Sequence, residues 1–358
     1  MTTNNISLRR LPAEWEPHEA VLLAWPHLDT DWAYMIDEAR DCFADIISAI
    51  SARERVIVVG PSGESRESFD ARNFDPHAVT YIEMPTNDTW ARDFGPITIE
   101  QIQASSGDSA STLSLDFKFN AWGMKFAADK DNLITRRLCD TAGSDGRSLL
   151  PPLINCQGFV LEGGSIESDG CGTLLTTAEC LLSPNRNAQL SEQQIRDYLA
   201  DQLGITHQLW LSHGALAGDD TDSHIDTLAR LAPDDTILYV GAVTPEGDTI
   251  PELALMAEQL RGFLTPEGHP YNLIELPLPS PVYDENGEQL PATYANYLVG
   301  PTAVYLPVYS QPLPDRLAEM TLRVAYPDRE IVPVDCRALI RQHGSLHCVT
   351  MQLPVCNL

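Results

Sequence analysis

Short apolar strands alternate with amphipathic segments along almost the whole chain. RVIVVG (55–60) and TILYVGAV (236–243) are rich in β-branched residues and are typical of buried strands. SEQQIRDYLADQLG (191–204) starts with a serine cap, has glutamine at the capping-box position and ends in glycine, which predicts a helix. The order strand, strand, helix, strand recurs four or five times with short links. We therefore expect a single α/β domain over residues 1–358, built from similar modules.

The same patterns predict the other elements. Strands are expected at 21–26, 79–85, 97–102, 113–123, 272–279 and 329–336, a strand pair at 297–309, and helices at 31–53, 251–264 and 313–327. Residues 158–182 are interpreted as paired strands joined at SDGCG, because Asp-Gly favours a tight turn. The polar stretch 104–112 is expected to be a hairpin tip.

The chain is strongly acidic. It contains 51 Asp and Glu against 23 Lys and Arg, which gives a net charge of −28. Nucleic-acid binding depends on basic residues that neutralise phosphates, so this composition argues against a nucleic-acid partner. A negative surface potential instead steers small cations toward a protein. The alternative is that the excess acidic residues are solvated surface groups without a binding role.

Nothing in the sequence indicates export or a membrane. The N-terminal residues MTTNNISLRRLPAEWEP have no apolar signal core, and no run of 18 apolar residues occurs. The eight cysteines show no C-x-x-C spacing, which argues against structural zinc and favours reduced thiols. We expect a cytoplasmic protein that spans no membrane. Its size neither requires nor excludes a homo-oligomer.

Charged and reactive residues collect in four short stretches where predicted strands end in turns. They are NDTWARDFGP (87–96), LEGGS (161–165), HIDTLARL (224–231) and GSLHCVT (344–350). Loops at strand ends carry function more often than strand interiors do. These stretches are therefore the first place to look for a site.

Each stretch also has a structural interpretation. In chain order these are a surface ion pair of Arg92 with Asp93, a turn capped by Glu162, hydrogen-bonded His224 and Asp226, and a buried thiol at Cys348. A metal site is another alternative, formed by Glu162, His224, Asp226 and His347. Their spacing matches no helix-borne motif such as H-E-x-x-H, and no G-x-S-x-G elbow supports a serine triad.

Together the four stretches contain the parts of a cysteine hydrolase that acts on a cation. Cys348 would be the nucleophile, His224 a general acid and base, and Glu162 the carboxylate that orients the histidine. Asp93 and Asp226 are two carboxylates more than an acyl-transfer triad needs. Paired carboxylates match the N–H fork of a planar guanidinium and would hold its carbon within reach of sulfur.

These residues resemble the agmatine deiminases and the related Porphyromonas-type peptidylarginine deiminases of the guanidine-modifying superfamily. The resemblance covers nearly the whole chain, because the matching motifs occur in one order. They lie at 12–26, 87–96, 119–123, 161–187, 224–231, 327–336 and 344–350. The resemblance implies a five-bladed α/β propeller, with modules around a pseudo-fivefold axis and the site at its centre.

Site residues carry over from the family by position. The resemblance implies Cys348 as nucleophile, His224 as acid and base, Glu162 as its supporting carboxylate, Asp93 and Asp226 as guanidinium ligands, and Trp90 and Trp122 as lining residues. Deimination then proceeds through a covalent thiouronium and needs no metal or organic cofactor.

The expected activity is hydrolysis of agmatine, a small cationic guanidine of polyamine metabolism, to N-carbamoylputrescine and ammonia. The alternatives are a deiminase of free or peptide arginine, an amidinotransferase on the same fold, and a non-catalytic binder of polyamines. His343 and Ser345 replace the glycine-rich run and asparagine that agmatine deiminases commonly carry before the nucleophile. That departure leaves open which tail the substrate carries.

Overall fold

The computed structural model describes residues 7–103, 110–143 and 146–354. These ranges contain nineteen strands. They are β1 (Ser7–Arg10), β2 (Ala20–Ala24), β3 (Arg55–Gly60), β4 (Val79–Glu83), β5 (Ile97–Gln103), β6 (Ala110–Lys118), β7 (Leu153–Val160), β8 (Ile166–Ser168), β9 (Thr173–Thr177), β10 (His207–Leu211), β11 (Ala229–Ala232), β12 (Thr236–Val240), β13 (Asn272–Leu276), β14 (Val282–Tyr283), β15 (Gln289–Leu290), β16 (Leu298–Val299), β17 (Ala303–Val308), β18 (Glu330–Asp335) and β19 (Met351–Leu353).

The helices are mostly short, and the longer ones connect parallel strands. They span Ile36–Ser51, Glu64–Asp70, Ala91–Phe94, Ile134–Asp140, Ala178–Leu181, Glu192–Leu203, Pro251–Arg261 and Pro312–Ala325. The capping box predicted for the helix 192–203 is present, because Ser191 and Gln194 each bond the other's backbone N–H. Gly204 ends this helix with a φ of 74°, a left-handed conformation that glycine adopts without steric cost.

Within the described ranges, five sheets repeat one pattern, an antiparallel pair of strands followed by a parallel pair. The sheets are β1-β5-β6-β7, β8-β9-β10, β11-β12-β13, β16-β17-β18 and β19-β2-β3-β4, with β14-β15 as a separate hairpin. Helices connect the parallel strands, because a parallel crossover needs a long connection. β19 pairs with β2, so the last sheet joins the two ends of the chain.

Apolar strands form the interior of these sheets. Every residue of β2, β9 and β12 is buried, as expected for strands covered on both faces. None of the helices in the described part of the chain has the length and apolar character that crossing a bilayer requires. The expected mixed α/β architecture is confirmed.

One local prediction is wrong, and a second is confirmed only in part. The strand expected at 113–123 ends at Lys118, and residues 121–124 form a turn with positive φ angles. In the stretch 158–182 only β8 and β9 form the predicted hairpin, because the preceding β7 pairs with β6 in another sheet. Of the predicted hairpin tip, residues 110–112 belong to β6, and 104–109 lie outside the described residues.

The connections between successive sheets carry the polar stretches. Residues 87–96 join β4 to β5, 161–165 join β7 to β8, His224 precedes β11, and 344–350 lead into β19. The fifth connection, which enters β16, contains Asn296. Each of the five connections therefore supplies a polar residue, and these residues meet.

Candidate active site

A cleft of about 510 Å³, counted with its open mouth, lies where these connections meet. Its buried lining residues include Trp90, Asp93, Trp122 and Cys348, which together we call the floor. Three acidic residues line its outer end, which we call the mouth: exposed Asp31 and half-buried Asp88 and Asp220.

Cys348 lies on the turn before β19 and is 6% exposed. Its Sγ is 3.3 Å from Oδ1 of Asn296 and 4.0 Å from Oδ2 of Asp226. The same Asn296 oxygen accepts the backbone N–H of Cys348, which holds the turn in place. Burial raises the pKa of the thiol well above its ordinary value, and the charges of Asp226 and Asp93 raise it further. A cation between these carboxylates is needed to favour the thiolate.

His224 lies between two carboxylates. Its Nε2 is 3.3 Å from Oε2 of Glu162, and its Nδ1 is 3.7 Å from Oδ1 of Asp93. Burial acts to lower the pKa of His224, but the charge of Asp93 and the contacts with Cys180 and Glu162 raise it well above its usual value. Burial acts to raise the pKa of Glu162, but the hydrogen bond with His224 and the charge of Arg186, which donates to Glu162 over 2.8 Å, hold it below its usual value. His224 is thus a charged proton donor, and the carboxylate of Glu162 holds it in place.

Asp93 is held by two donors. Its Oδ2 accepts the indole N–H of Trp122 over 2.9 Å, and its Oδ1 accepts the backbone N–H of Gly164 over 2.9 Å. Burial raises the pKa of Asp93 to about 6, although the charge of His224 opposes this. Asp93 therefore titrates close to neutral pH.

Trp122 reaches Asp93 from a strained turn. All four residues of the turn 121–124 have positive φ, between 52° and 85°. A left-handed conformation costs a non-glycine residue about 1–2 kcal/mol. Asn120 offsets this cost, because its side chain accepts the N–H of Gly123 and donates to the carbonyl of Asn185. Strain of this kind concentrates at functional sites.

Asp226 is completely buried and is held at one oxygen only. Its Oδ2 accepts from Nδ1 of His347 over 2.7 Å, whereas Oδ1 has no hydrogen-bond partner. Burial acts to raise the pKa of Asp226, but the hydrogen bond and charge of His347 hold it below its usual value. The free oxygen leaves a buried charge ready for an N–H donor.

Gly164 keeps the space between these groups open. A Cβ at this position would lie 2.7 Å from Nδ1 of His224, 2.8 Å from Oδ1 of Asp93 and 3.1 Å from Oδ2 of Asp226. The histidine and both aspartates therefore converge on one point. A planar cation with N–H donors fits this arrangement.

The mouth is acidic. Burial and the charge of Asp31 raise the pKa of Asp88 to about 7, and burial raises that of Asp220 against the opposing charge of His343. None of the described lining residues is a lysine or an arginine. Lys125, beside the mouth, donates to Asp222 over 2.9 Å and to the backbone carbonyl of Asp220.

The two unusual residues before the nucleophile have different environments. His343, with a φ of 64°, lines the cleft, and its Nδ1 is 2.8 Å from the carbonyl oxygen of Gly218. Ser345 is buried, and its Oγ is 2.9 Å from the hydroxyl of Tyr309. Of the two, only His343 is placed to meet a substrate tail.

Of the four residues of the metal alternative, Glu162 and His224 lie in one cluster of possible ligands, His347 lies in another, and Asp226 lies in neither. One consists of Glu162, Cys180 and His224, and the other of Glu14, Glu167 and His347. An arginine already pairs with each cluster. Arg186 donates to Glu162 over 2.8 Å, and Arg230 donates to Glu14 over 3.0 Å. Each guanidinium supplies the positive charge that a metal ion would bring.

The structure brings together all seven predicted residues, namely Trp90, Asp93, Trp122, Glu162, His224, Asp226 and Cys348. The alternative of a surface ion pair at Arg92 is wrong. Arg92 is buried, donates to Gln352 over 2.7 Å and lies 3.6 Å from Glu14.

Sequence reasoning missed Asn296, Arg186 and Glu14. Asn296 lies in the uncharged run PATYANY, where no residue pattern marks it. Arg186 lies in the recognised stretch 161–187, and Glu14 in 12–26, so position within a family motif was the available signal.

Comparisons with known proteins identify the family. The model of the Porphyromonas-type peptidyl-arginine deiminases matches residues 10–354. The chain belongs to this family. It is 32% identical to the "Putative agmatine deiminase" of Photobacterium profundum, with 96% of each chain covered. The resemblance stated from the sequence is therefore confirmed, and with it a guanidine-deiminating hydrolase.

Solved structures of family members share the fold. The "Putative Arginine Deiminase from Porphyromonas gingivalis" is 48% identical with a TM-score of 0.85, covering 97% of this chain and 98% of that one. The C. jejuni agmatine deiminase, a cysteine-to-serine variant with substrate bound, is 32% identical with a TM-score of 0.85 and 98% coverage of both chains.

Proposed function

We propose that this protein is an agmatine deiminase, which hydrolyses agmatine to N-carbamoylputrescine and ammonia. The observation that carries the proposal is the acidic mouth formed by Asp31, Asp88 and Asp220, without lysine or arginine among the described lining residues. Agmatine has a guanidinium at one end and an ammonium at the other, so floor and mouth each meet a positive charge. A free or C-terminal arginine would bring its carboxylate against the mouth, where like charges oppose binding.

In the first half of the proposed reaction, Asp93 and Asp226 hold the guanidinium and Sγ of Cys348 attacks its central carbon. The charge of the guanidinium offsets both carboxylates and so lowers the pKa of the thiol. His224 protonates the departing nitrogen as the carbon–nitrogen bond breaks. Ammonia leaves, and a thiouronium remains on Cys348.

In the second half, water attacks the thiouronium carbon and His224 takes up its proton. The carbon–sulfur bond then breaks, its electron pair returns to Cys348, the new hydroxyl releases its remaining proton to solvent, and a ureido product forms. Glu162 and Arg186 hold the imidazole in place through both steps. Trp90 and Trp122 enclose the reacting group, and no metal or organic cofactor takes part.

We also propose that residues 1–358 form one catalytic domain, a five-bladed propeller with its pseudo-fivefold axis at the cleft. The five repeated sheet patterns support this arrangement, as does the meeting of five connections at one site. A cytoplasmic location is supported by the free thiols of the seven cysteines in the described ranges.

The second candidate is a deiminase of free or peptide arginine. It is favoured by the higher identity to the P. gingivalis protein, 48%, than to the agmatine deiminase of C. jejuni, 32%. The floor serves this substrate equally well, because it meets only the guanidinium. The choice between the two candidates therefore depends on the mouth.

Ammonia release tests the proposal. We would compare agmatine, n-butylguanidine, L-arginine and a peptide ending in arginine, and we expect the highest kcat/KM for agmatine. Cys348→Ala should lower kcat by more than about 10⁴-fold, because removal of a nucleophile abolishes the covalent route. Cys156→Ala removes another buried thiol, remote from the cleft, and should change kcat by less than about twofold.

A higher kcat/KM for arginine or the peptide would transfer the proposal to the second candidate. Transfer of the amidino group to an added amine, without ammonia, would identify an amidinotransferase. Binding of a guanidine without any turnover would show a non-catalytic protein.

A further inference from the structure

A chain of buried hydrogen bonds extends from Asp226 away from the cleft. Oδ2 of Asp226 is 2.7 Å from Nδ1 of His347, and Nε2 of His347 is 2.6 Å from Oε2 of Glu14. The three side chains are 1%, 1% and 8% exposed. None of the reaction steps above uses His347 or Glu14.

Both ring nitrogens of His347 face a carboxylate oxygen. Nε2 also lies 3.1 Å from Nη2 of Arg230, so polar partners hold the ring at both nitrogens. Rotation of the imidazole would therefore break a buried hydrogen bond on each side. This arrangement fixes the orientation of the ring, and through it the orientation of Asp226.

Glu14 is itself firmly anchored. Its Oε1 accepts the backbone N–H of Val299 over 2.8 Å, and its Oε2 accepts from Nη2 of Arg230 over 3.0 Å. Arg230 also donates to Glu167 over 2.5 Å and lies over the ring of Tyr297, 4.5 Å from its centroid. A carboxylate held from two sides is a rigid support for the histidine.

The orientation of Asp226 matters for two reasons. Its Oδ1 is free to accept an N–H of the guanidinium only while Oδ2 stays with His347. Its Oδ2 is also 4.0 Å from Sγ of Cys348, so an unpaired charge there would oppose the thiolate.

We propose that Glu14 and His347 are positioning residues for the deimination. They hold Asp226 so that one oxygen is reserved for the guanidinium and the other is neutralised beside Cys348. The proposal rests on the proposed function for the identity of the substrate, but the hydrogen-bond chain exists without it.

The Kd for substrate measures how strongly His347 affects guanidinium binding through Asp226. In the Cys348→Ala protein, calorimetry gives the Kd for agmatine without turnover. We expect His347→Gln, which donates through one end only, to raise Kd about 10- to 100-fold, since small misplacements of binding groups have effects of this size. In the presence of Asp226→Asn, the same substitution should raise Kd by less than about twofold, because His347 acts through Asp226.

The matched control is His18→Gln. His18 is another buried histidine paired with a glutamate, 2.5 Å from Glu54, and it lies outside the cleft. Its substitution should leave the Kd for agmatine within about twofold of the parent value. Should His347→Gln fail to fold, Glu14→Gln tests the same series of hydrogen bonds, because it keeps the side-chain size and removes the charge.

If the two substitutions act independently, their fold-increases in Kd multiply in the double variant. That result, or an unchanged Kd in His347→Gln, would overturn the proposal. If the parent protein binds no agmatine, the proposed function fails, and iodoacetamide then decides the positioning role. In proteins that retain Cys348, alkylation of this thiol, followed by mass spectrometry, should slow about tenfold in His347→Gln and stay unchanged in His18→Gln. Equal alkylation rates in both variants would show that Glu14 and His347 have no positioning role.

Discussion

The carboxylates at the two ends of the cleft have different environments. Next to Cys348 of the floor, Asp226 is paired with His347, and Glu162, behind His224, is paired with Arg186, so both keep low pKa values. At the mouth, burial raises the pKa of Asp88, to about 7, and that of Asp220. A buried carboxylate stays charged when it has a cationic partner of its own, and the mouth carboxylates depend on an incoming ligand instead.

Asp93 lies between these two situations. It has hydrogen-bond donors but shares His224 with Glu162, and its pKa is about 6. Two adjacent charged aspartates would repel each other. The fold relieves this repulsion by neutralising Asp226 with His347 and by keeping Asp93 close to its titration point.

Among the effects that bear on this comparison, the largest tests whether His224, Asp93 and Asp226 are tightly packed around one binding space. Gly164→Ala places a methyl group within 3.1 Å of His224, Asp93 and Asp226, where the guanidinium is proposed to bind. We expect kcat/KM for every guanidine substrate to fall by about 100-fold or more.

Gly158→Ala is the matched control for this substitution, because a Cβ there meets no atom within 4 Å. It should leave kcat/KM within about twofold of the wild-type value. Equal activity of the two variants would show that substrate does not use the space at Gly164.

An intermediate effect separates the mouth from the floor. Asp220→Asn removes a charge from the mouth and should raise KM for agmatine about tenfold, or about 1.4 kcal/mol. KM for n-butylguanidine, which lacks the ammonium, should stay unchanged. Asp328→Asn makes the same change in net charge at an exposed residue outside the cleft and serves as the control. Equal losses for both substrates would contradict a tail-binding role.

The smallest effect is a pH dependence. A raised pKa means that a carboxyl keeps its proton to higher pH, so its charge is lost as pH falls through that value. Below about pH 6 both substrates should bind less well, because Asp93 becomes neutral. Between pH 6 and 8 the ratio of kcat/KM for agmatine to that for n-butylguanidine should rise several-fold as Asp88 ionises.

The ratio isolates the mouth, because the titrations of Cys348 and His224 affect both substrates equally. Asp88→Asn should remove the pH dependence of this ratio. A ratio that stays constant in the wild-type protein would remove Asp88 from tail recognition.

Local signals predicted much of the fold. The helix 192–203 followed from its serine cap, glutamine and terminal glycine, all within one short segment. The turn 121–124 was missed because its alternating residues continue the pattern of β6, while its backbone is held by Asn120 and by the contact of Trp122 with Asp93. Tertiary contacts decided that conformation.

The sequence by itself determined which chemistry is available: a thiol, an imidazole and paired carboxylates, in motifs that indicate a guanidine substrate. Only the tertiary structure decided which of these groups carry charge and where they point. Asp226 depends on His347, and His347 on Glu14, which is 333 positions away in the chain. The electrostatic effect of one side chain on another is set by distance and burial, and both are properties of the folded chain.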